Sequence, residues 1–158
     1  MLLKNIYFED EEIKNDDLYF ICYMIERVAR HIHQKNKYVV NTIGKENLLH
    51  LISVANVLHC ENPLKVEDDW IKDYKLEHGE FDVTDVDSNL AKIIPTPIQM
   101  GKVYKRLITD TLVTKENYVD GVIRVYNDPL CDVIDNYNCS AFYEPSYVIA
   151  RAYQNGGF

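Results

Sequence analysis

Proline placement is the feature of this sequence that most restricts its fold. Four of the five prolines directly follow Asn62, Thr96, Asp128 and Glu144. Asn, Thr and Asp are strong N-cap residues, and proline at the first helical position costs no backbone hydrogen bond. The four pairs therefore predict helix starts, and Thr114, another cap residue, predicts a further one. With only six glycines and no hairpin turn between alternating strands, the sequence favours a helical protein over a β-sheet protein.

Two stretches have the apolar periodicity of long amphipathic helices. Between Asp16 and Asn36, apolar side chains recur every three or four residues, as one buried helix face requires. The same spacing continues through residues 37–59, with a break predicted near Gly44. The pattern predicts two central helices, Asp16 to Asn36 and Lys45 to His59.

The last helix is predicted to start at the pair Glu144-Pro145. Tyr147 and Ala150 lie at three-residue spacing along one face of it. Gly156 is placed to end this helix in a left-handed cap, and we expect Phe158 to fold back onto the same face.

The helical pattern weakens between residues 80 and 95. Apolar residues alternate there only briefly, at Phe81, Val83 and Val86. Either a short strand or an irregular connection fits this spacing. Because 158 residues suit one compact domain and no linker interrupts them, we expect a mainly α-helical single domain, residues 1–158, with about six or seven helices.

Charge and composition restrict the partner and the compartment. A formal net charge of -8 argues against binding to nucleic acids or anionic membranes, because such binding depends on lysine and arginine. No apolar run approaches the roughly 20 residues of a membrane-spanning helix, and no leader pattern is visible at the start. The four cysteines are widely spaced, so we expect free thiols in a reducing cytoplasm.

The histidines do not form a metal-site pattern. His31 and His33 are two residues apart, which on a helix turns the rings about 200° from each other. His50 and His59 are nine apart, and the adjacent Cys60 does not complete a zinc spacing. The sequence therefore predicts no metal site at these residues.

No motif predicts a cofactor or a catalytic centre. An EF-hand loop counted from Asp85 would need glycine and glutamate where the chain has Leu90 and Thr96. Phosphate-binding glycine loops, dinucleotide fingerprints, nucleophile elbows and H-E-x-x-H are all missing from the sequence. We expect no bound cofactor, and the pattern favours a non-enzymatic protein.

Trp70 lies in a strongly acidic stretch beside Asp68 and Asp69. If its indole is buried, the surrounding carboxylates form a solvated helix surface, which is the interpretation we favour. If it is exposed, an indole ringed by carboxylates suits a basic partner surface. These three residues are the candidate partner-binding residues.

Tyrosine is the main compositional excess, with 12 residues, seven of them from Tyr104 onward. Tyr147 and Arg151 lie on the last predicted helix, and Tyr143 comes shortly before it. A guanidinium among tyrosines can hold an anionic group or stack on a ring. Tyr143, Tyr147 and Arg151 are therefore the candidate ligand-binding residues.

Two hypotheses about function follow from these patterns. The first is a small acidic cytoplasmic interaction protein, of bacterial antitoxin, immunity or accessory-subunit type, that binds a protein with a basic surface. The second is an enzyme or small-ligand-binding protein with a pocket between helices near the C-terminal helix. A homodimer without another partner is a third alternative.

Overall fold

The computed structural model describes residues 3–158, and these form a mainly α-helical fold, as predicted. The described part of the chain contains eight α-helices: α1 Asn15–His31, α2 Asn36–Ser53, α3 Ala55–Leu58, α4 Pro63–Asp73, α5 Pro97–Thr111, α6 Tyr118–Tyr126, α7 Leu130–Ile134 and α8 Ser146–Asn155. A short 3-10 helix, Ala141–Tyr143, precedes α8.

Helix α1 is the centre of the molecule and packs against α2, α4 and α5. Its contact with α5 is close because Gly101 has no side chain. A Cβ at Gly101 would lie 2.9 Å from both the Cα and the backbone nitrogen of Tyr23. The predicted end of this helix at Asn36 is wrong: α1 ends at His31, and His33 has a left-handed φ of 54° that separates it from α2.

Helix α2 bends where the sequence predicts a break. Gly44 has φ 82° and ψ 163°, which a residue with a side chain rarely adopts, so two helical segments meet there at an angle. The predicted Lys45–His59 helix is not one continuous element. Its first part belongs to α2, which also includes the residues before Gly44 and ends at Ser53, and its second part is the four-residue helix α3.

The four Xaa-Pro pairs all mark helix starts. The Asn62 side chain accepts a hydrogen bond from the backbone of Leu64, and Thr96 forms a capping box with Gln99. The other two helices, α7 and α8, begin one residue after their proline. A proline directly after a cap residue was therefore a reliable boundary signal in this chain.

The start of α6 differs from the prediction. Thr114 does not cap this helix. Asn117 does, through a reciprocal pair of hydrogen bonds with Asp120. Residues 74–96 form the irregular connection that was one of the two alternatives for this region, and no strand is present in it.

A continuous core of apolar side chains joins α1, α2, α4, α5, α6, α7 and α8. The last helix contributes Ile149, Ala150 and Ala152 to this core and ends at Gly156 in the left-handed conformation that the sequence predicts. Phe158, which we expected to fold back onto α8, is exposed. In the part of the chain that the structure describes, every helix is too short or too polar to cross a membrane.

Candidate functional site

The candidate ligand residues of the C-terminal region lie on an exposed surface. The Tyr143 and Tyr147 side chains are 78% and 64% exposed. The Arg151 guanidinium lies 5.9 Å from the centre of the Tyr147 ring, a stacking contact along one helix face. A small cavity of about 130 Å³ lies between α5 and the start of α8, but its walls are formed by other residues, including Lys102, Arg106 and Glu144.

Trp70 belongs to the core, as the favoured interpretation has it. Only 2% of its surface is exposed, and its indole nitrogen has no hydrogen-bond partner among residues 3–158. Asp68 and Asp69 remain at the surface, and Asp69 forms an ion pair with Lys65 at 2.9 Å. The structure therefore does not bring the three candidate residues together as one exposed patch.

Residues 5–23 and helix α3 form the walls of a wide groove of about 870 Å³, here named the acidic groove. The chain before α1 is held against α2 by Asn5, whose side chain donates to the carbonyl of Ser53 and accepts from the backbone of Tyr7 and Phe8. Ile13 is 2% exposed and anchors the other end of this segment in the core. The segment therefore has a fixed course although it is not helical.

The acidic groove has a strong excess of negative charge. Lys14 is the only lysine or arginine among its described lining residues. Its five carboxylates are Asp10, Glu11, Glu12, Asp16 and Asp17. Glu11 accepts from Asn56 at 3.0 Å, and Asp17 caps α1 by accepting from the backbone of Lys14. The other three have no hydrogen bond or ion pair with any residue in the range 3–158.

Three aromatic rings line the same groove: Tyr19, Phe20 and Tyr23. Two of them already attract cations of the chain itself. The Arg27 guanidinium lies 5.5 Å from the centre of the Tyr23 ring, and the Lys105 ammonium lies 5.8 Å from that of Tyr19. The groove therefore combines carboxylates with rings that accept cation-π contacts.

A second polar cluster lies inside the helical core. Glu26 is 2% exposed and accepts from Arg30 Nε at 2.9 Å and from the Asn36 side chain at 3.1 Å. Asp135, at the end of α7, accepts from the Tyr104 hydroxyl at 2.6 Å. Arg30 also donates to the hydroxyl of Tyr137 at 3.1 Å. The cluster thus brings together α1, α2, α5 and residues 135–137.

Burial and neighbouring charge alter the protonation of this cluster. Burial, followed by the negative charge of Glu26, raises the pKa of Asp135 well above its ordinary value, although the Tyr104 hydrogen bond acts against the shift. Part of the Asp135 surface remains exposed, because it borders a cavity. Burial also raises the pKa of the hydroxyls of Tyr104 and Tyr126. The cluster therefore disfavours additional negative charge.

The histidine and cysteine candidates do not converge. Within residues 3–158, no group of three or more His, Cys, Asp or Glu side chains is arranged to hold a metal ion. His31 instead pairs with Glu67 across the α1–α4 contact at 3.1 Å. Cys22 and Cys131 are buried, whereas Cys60 and Cys139 are exposed, and all four are free thiols.

Comparison with known proteins gives no assignment: no family model, no curated protein and no solved structure matches this chain. The candidate sites therefore have to be judged from their own geometry and charge.

The acidic groove is a site that the sequence analysis missed. Its acidic residues are visible in the sequence as the run Glu9-Asp10-Glu11-Glu12, close before the tyrosines of α1. Only the folded position of residues 5–14 shows that the carboxylates and the rings share one surface.

Proposed function

We propose that this protein is a non-enzymatic cytoplasmic interaction module, of the antitoxin, immunity or accessory-subunit kind, that binds the basic surface of a partner protein. The acidic groove is the binding surface in this proposal. One observation carries it: five carboxylates and three aromatic rings, with a single lysine, line one groove of about 870 Å³.

The electrostatics of the groove support a basic partner. Asp10, Glu12 and Asp16 are exposed and have no partner among the described residues, so a lysine or arginine from another protein would displace no internal ion pair. Carboxylates of one sign in a concave surface raise the local concentration of basic groups and increase the association rate. This attraction weakens as salt increases.

The aromatic residues of the groove would add contact area to this attraction. Tyr19, Phe20 and Tyr23 are half-buried, so each ring is fixed by the core while part of it faces outward. Rigid aromatic rings lose little entropy on binding and are common in the energetically important part of interfaces. A partner segment with a basic residue next to an apolar one would match this combination.

Selection from a random 12-residue peptide library displayed on phage tests the proposal. We expect the protein to enrich peptides rich in lysine and arginine. Synthetic versions of these peptides should bind the wild-type protein with an affinity that falls as salt is raised. Selected peptides without an excess of basic residues would contradict the proposal.

Two triple variants then locate the binding surface. The groove variant, D10N/E12Q/D16N, removes three groove carboxylates that have no described partner. The control variant, E46Q/E80Q/D110N, removes three exposed carboxylates outside the groove.

We expect about a tenfold loss of peptide affinity in the groove variant, because exposed charge pairs contribute roughly 0.2–1 kcal/mol each. The control variant should bind within about threefold of the wild type, since it changes the net charge by the same amount. An equal loss in both variants would show that net charge alone attracts the peptides, and it would overturn the groove as the binding surface.

A further inference from the structure

The cavity beside Asp135 is separate from the acidic groove and has a different character. It encloses about 360 Å³ between the start of α2, residues 81–86 of the irregular connection, and the chain from Tyr126 to Asn138. This volume falls at the lower end of the range of small-molecule sites. The wall formed by residues 81–86 belongs to a connection of more than 20 residues without helix or strand, a length that in compact domains is often associated with binding.

Asp135 borders this cavity without a counter-ion. Its Oδ1 accepts from the Tyr104 hydroxyl at 2.6 Å, while Oδ2 has no hydrogen-bond partner among residues 3–158. None of the described lysine, arginine or histidine nitrogens lies within 4.0 Å of this carboxyl group. A carboxyl group in these surroundings is stabilised either by a proton or by a cation that enters the cavity.

Arg30, whose positive charge acts on Asp135, is already bonded to other groups. Arg30 donates from Nε to Glu26 and from one terminal nitrogen to the Pro95 carbonyl at 2.7 Å and to the Tyr137 hydroxyl. Glu26, which is buried, and Asp135, which is partly exposed, therefore have one arginine near them, and that arginine is bonded to Glu26. When Asp135 is ionised, the interior of this site is short of one positive charge.

The rim of the cavity also has more carboxylates than basic groups. Lys35 and Lys37 are its two basic residues, and Lys35 is bound to Asp132 at 3.2 Å. Apart from Asp135, four carboxylates border the cavity: Asp82, Asp85, Asp128 and Asp132. This excess of carboxylates would repel an anionic ligand and attract a cation.

Apolar and aromatic side chains complete the lining. Phe81, Val83 and Val86 form one wall, and Tyr126 and Tyr137 belong to the opposite side. Tyr126 is 1% exposed, and its ring stacks on that of Tyr104, whose hydroxyl donates to Asp135. The lining therefore combines apolar and aromatic side chains with a carboxyl group that has no counter-ion.

We propose that this cavity binds a small organic cation, with its ammonium head against Asp135 and its hydrocarbon part against Phe81 and Val83. The carboxyl group provides the charged hydrogen bond, and the rings provide the low-polarity wall that organic cations favour. This binding is independent of the interaction proposed for the acidic groove, because the two sites share no lining residue.

Three probes with the same four-carbon chain test the inference in the wild-type protein: n-butylammonium, n-butanol and butyrate. Their binding can be followed by ¹H–¹⁵N correlation spectra. We expect n-butylammonium to cause saturable shifts of the amide signals of residues 81–86 and 126–138. The neutral alcohol and the anion should cause no saturable shift there. Equal effects of all three probes on these signals, or no saturable effect of n-butylammonium, would overturn the proposal.

Two single variants then test the role of the carboxyl group. D135N keeps the size of the side chain and an oxygen that can accept from Tyr104, and we expect it to bind n-butylammonium at least tenfold more weakly. D110N, an exposed position outside the cavity, makes the same change in net charge and should bind within about twofold of the wild type. Undiminished binding by D135N would contradict the proposal. The comparison of the three probes decides the question if D135N does not fold.

Discussion

Replacing Asp135 by asparagine should change how the stability of the protein depends on pH. In the folded protein, burial and the nearby Glu26 charge raise the pKa of Asp135. In the unfolded chain the same group has an ordinary pKa of about 3.9. Between these two pKa values the folded form binds a proton that the unfolded form has lost. Asp135 therefore contributes its full stability below the unfolded pKa, and this contribution is lost as pH rises towards the folded pKa.

The size of the effect follows from proton linkage. Within this pH window, the free energy of unfolding of the wild type falls by about 1.4 kcal/mol per pH unit relative to the asparagine variant, because asparagine does not titrate. Over two pH units inside the window the relative change is about 2.7 kcal/mol. For a chain of this length that corresponds to a difference in Tm of roughly 5–10 °C.

Urea unfolding followed by tryptophan fluorescence is the assay for this prediction. The protein has a single tryptophan, Trp70, which is buried and whose emission should shift on unfolding. D135N should gain stability relative to the wild type as pH rises from about 4. D68N is the control, and its curve should run parallel to that of the wild type. Parallel curves for the wild type and D135N would show that Asp135 has the same pKa in the folded and unfolded chain, which would refute the reasoning.

Three further predictions concern packing and hydrogen bonding. Gly101→Ala should lower the free energy of unfolding by about 1–3 kcal/mol, because the new Cβ meets the backbone of Tyr23, as urea unfolding can measure. Ile149→Ala should cost roughly 2–4 kcal/mol in the same assay, whereas Tyr147→Ala at an exposed position of the same helix should stay within about 0.5 kcal/mol. Arg124→Lys should lower Tm by several degrees, because lysine cannot replace the guanidinium that bonds a carboxylate, Thr111 and Tyr153 together; an unchanged Tm would contradict this role.

Local signals in the sequence were sufficient to predict the fold class and several helix boundaries. Asn62 and Thr96 cap their helices as expected, and Gly44 interrupts α2. These signals succeed because capping and backbone strain depend on residues a few positions apart. The start of α6 was missed because Thr114 and Asn117 are both good cap types, and the hydrogen bonds with Asp120 select the second.

The candidate sites could not be predicted in the same way, because they depend on distant contacts. The position of the acidic groove requires Asn5 to bond Ser53, which is 48 residues away. The Asp135 carboxyl group meets Tyr104 from another helix, and its sequence context is ordinary. Periodicity also failed for Tyr147, which lies at three-residue spacing from buried Ala150 but is exposed. Sequence spacing identifies the face of a helix, but not which neighbours will cover it.

The central claim is that the acidic groove recognises a basic partner, and the salt dependence of peptide binding in the two triple variants tests it most directly. The dissociation constant of one selected peptide should be measured between low and high salt for the wild type, the groove variant and the control variant. We predict a steep weakening with salt for the wild type and the control variant, and a clearly smaller dependence for D10N/E12Q/D16N. The same salt dependence in all three proteins would contradict the claim.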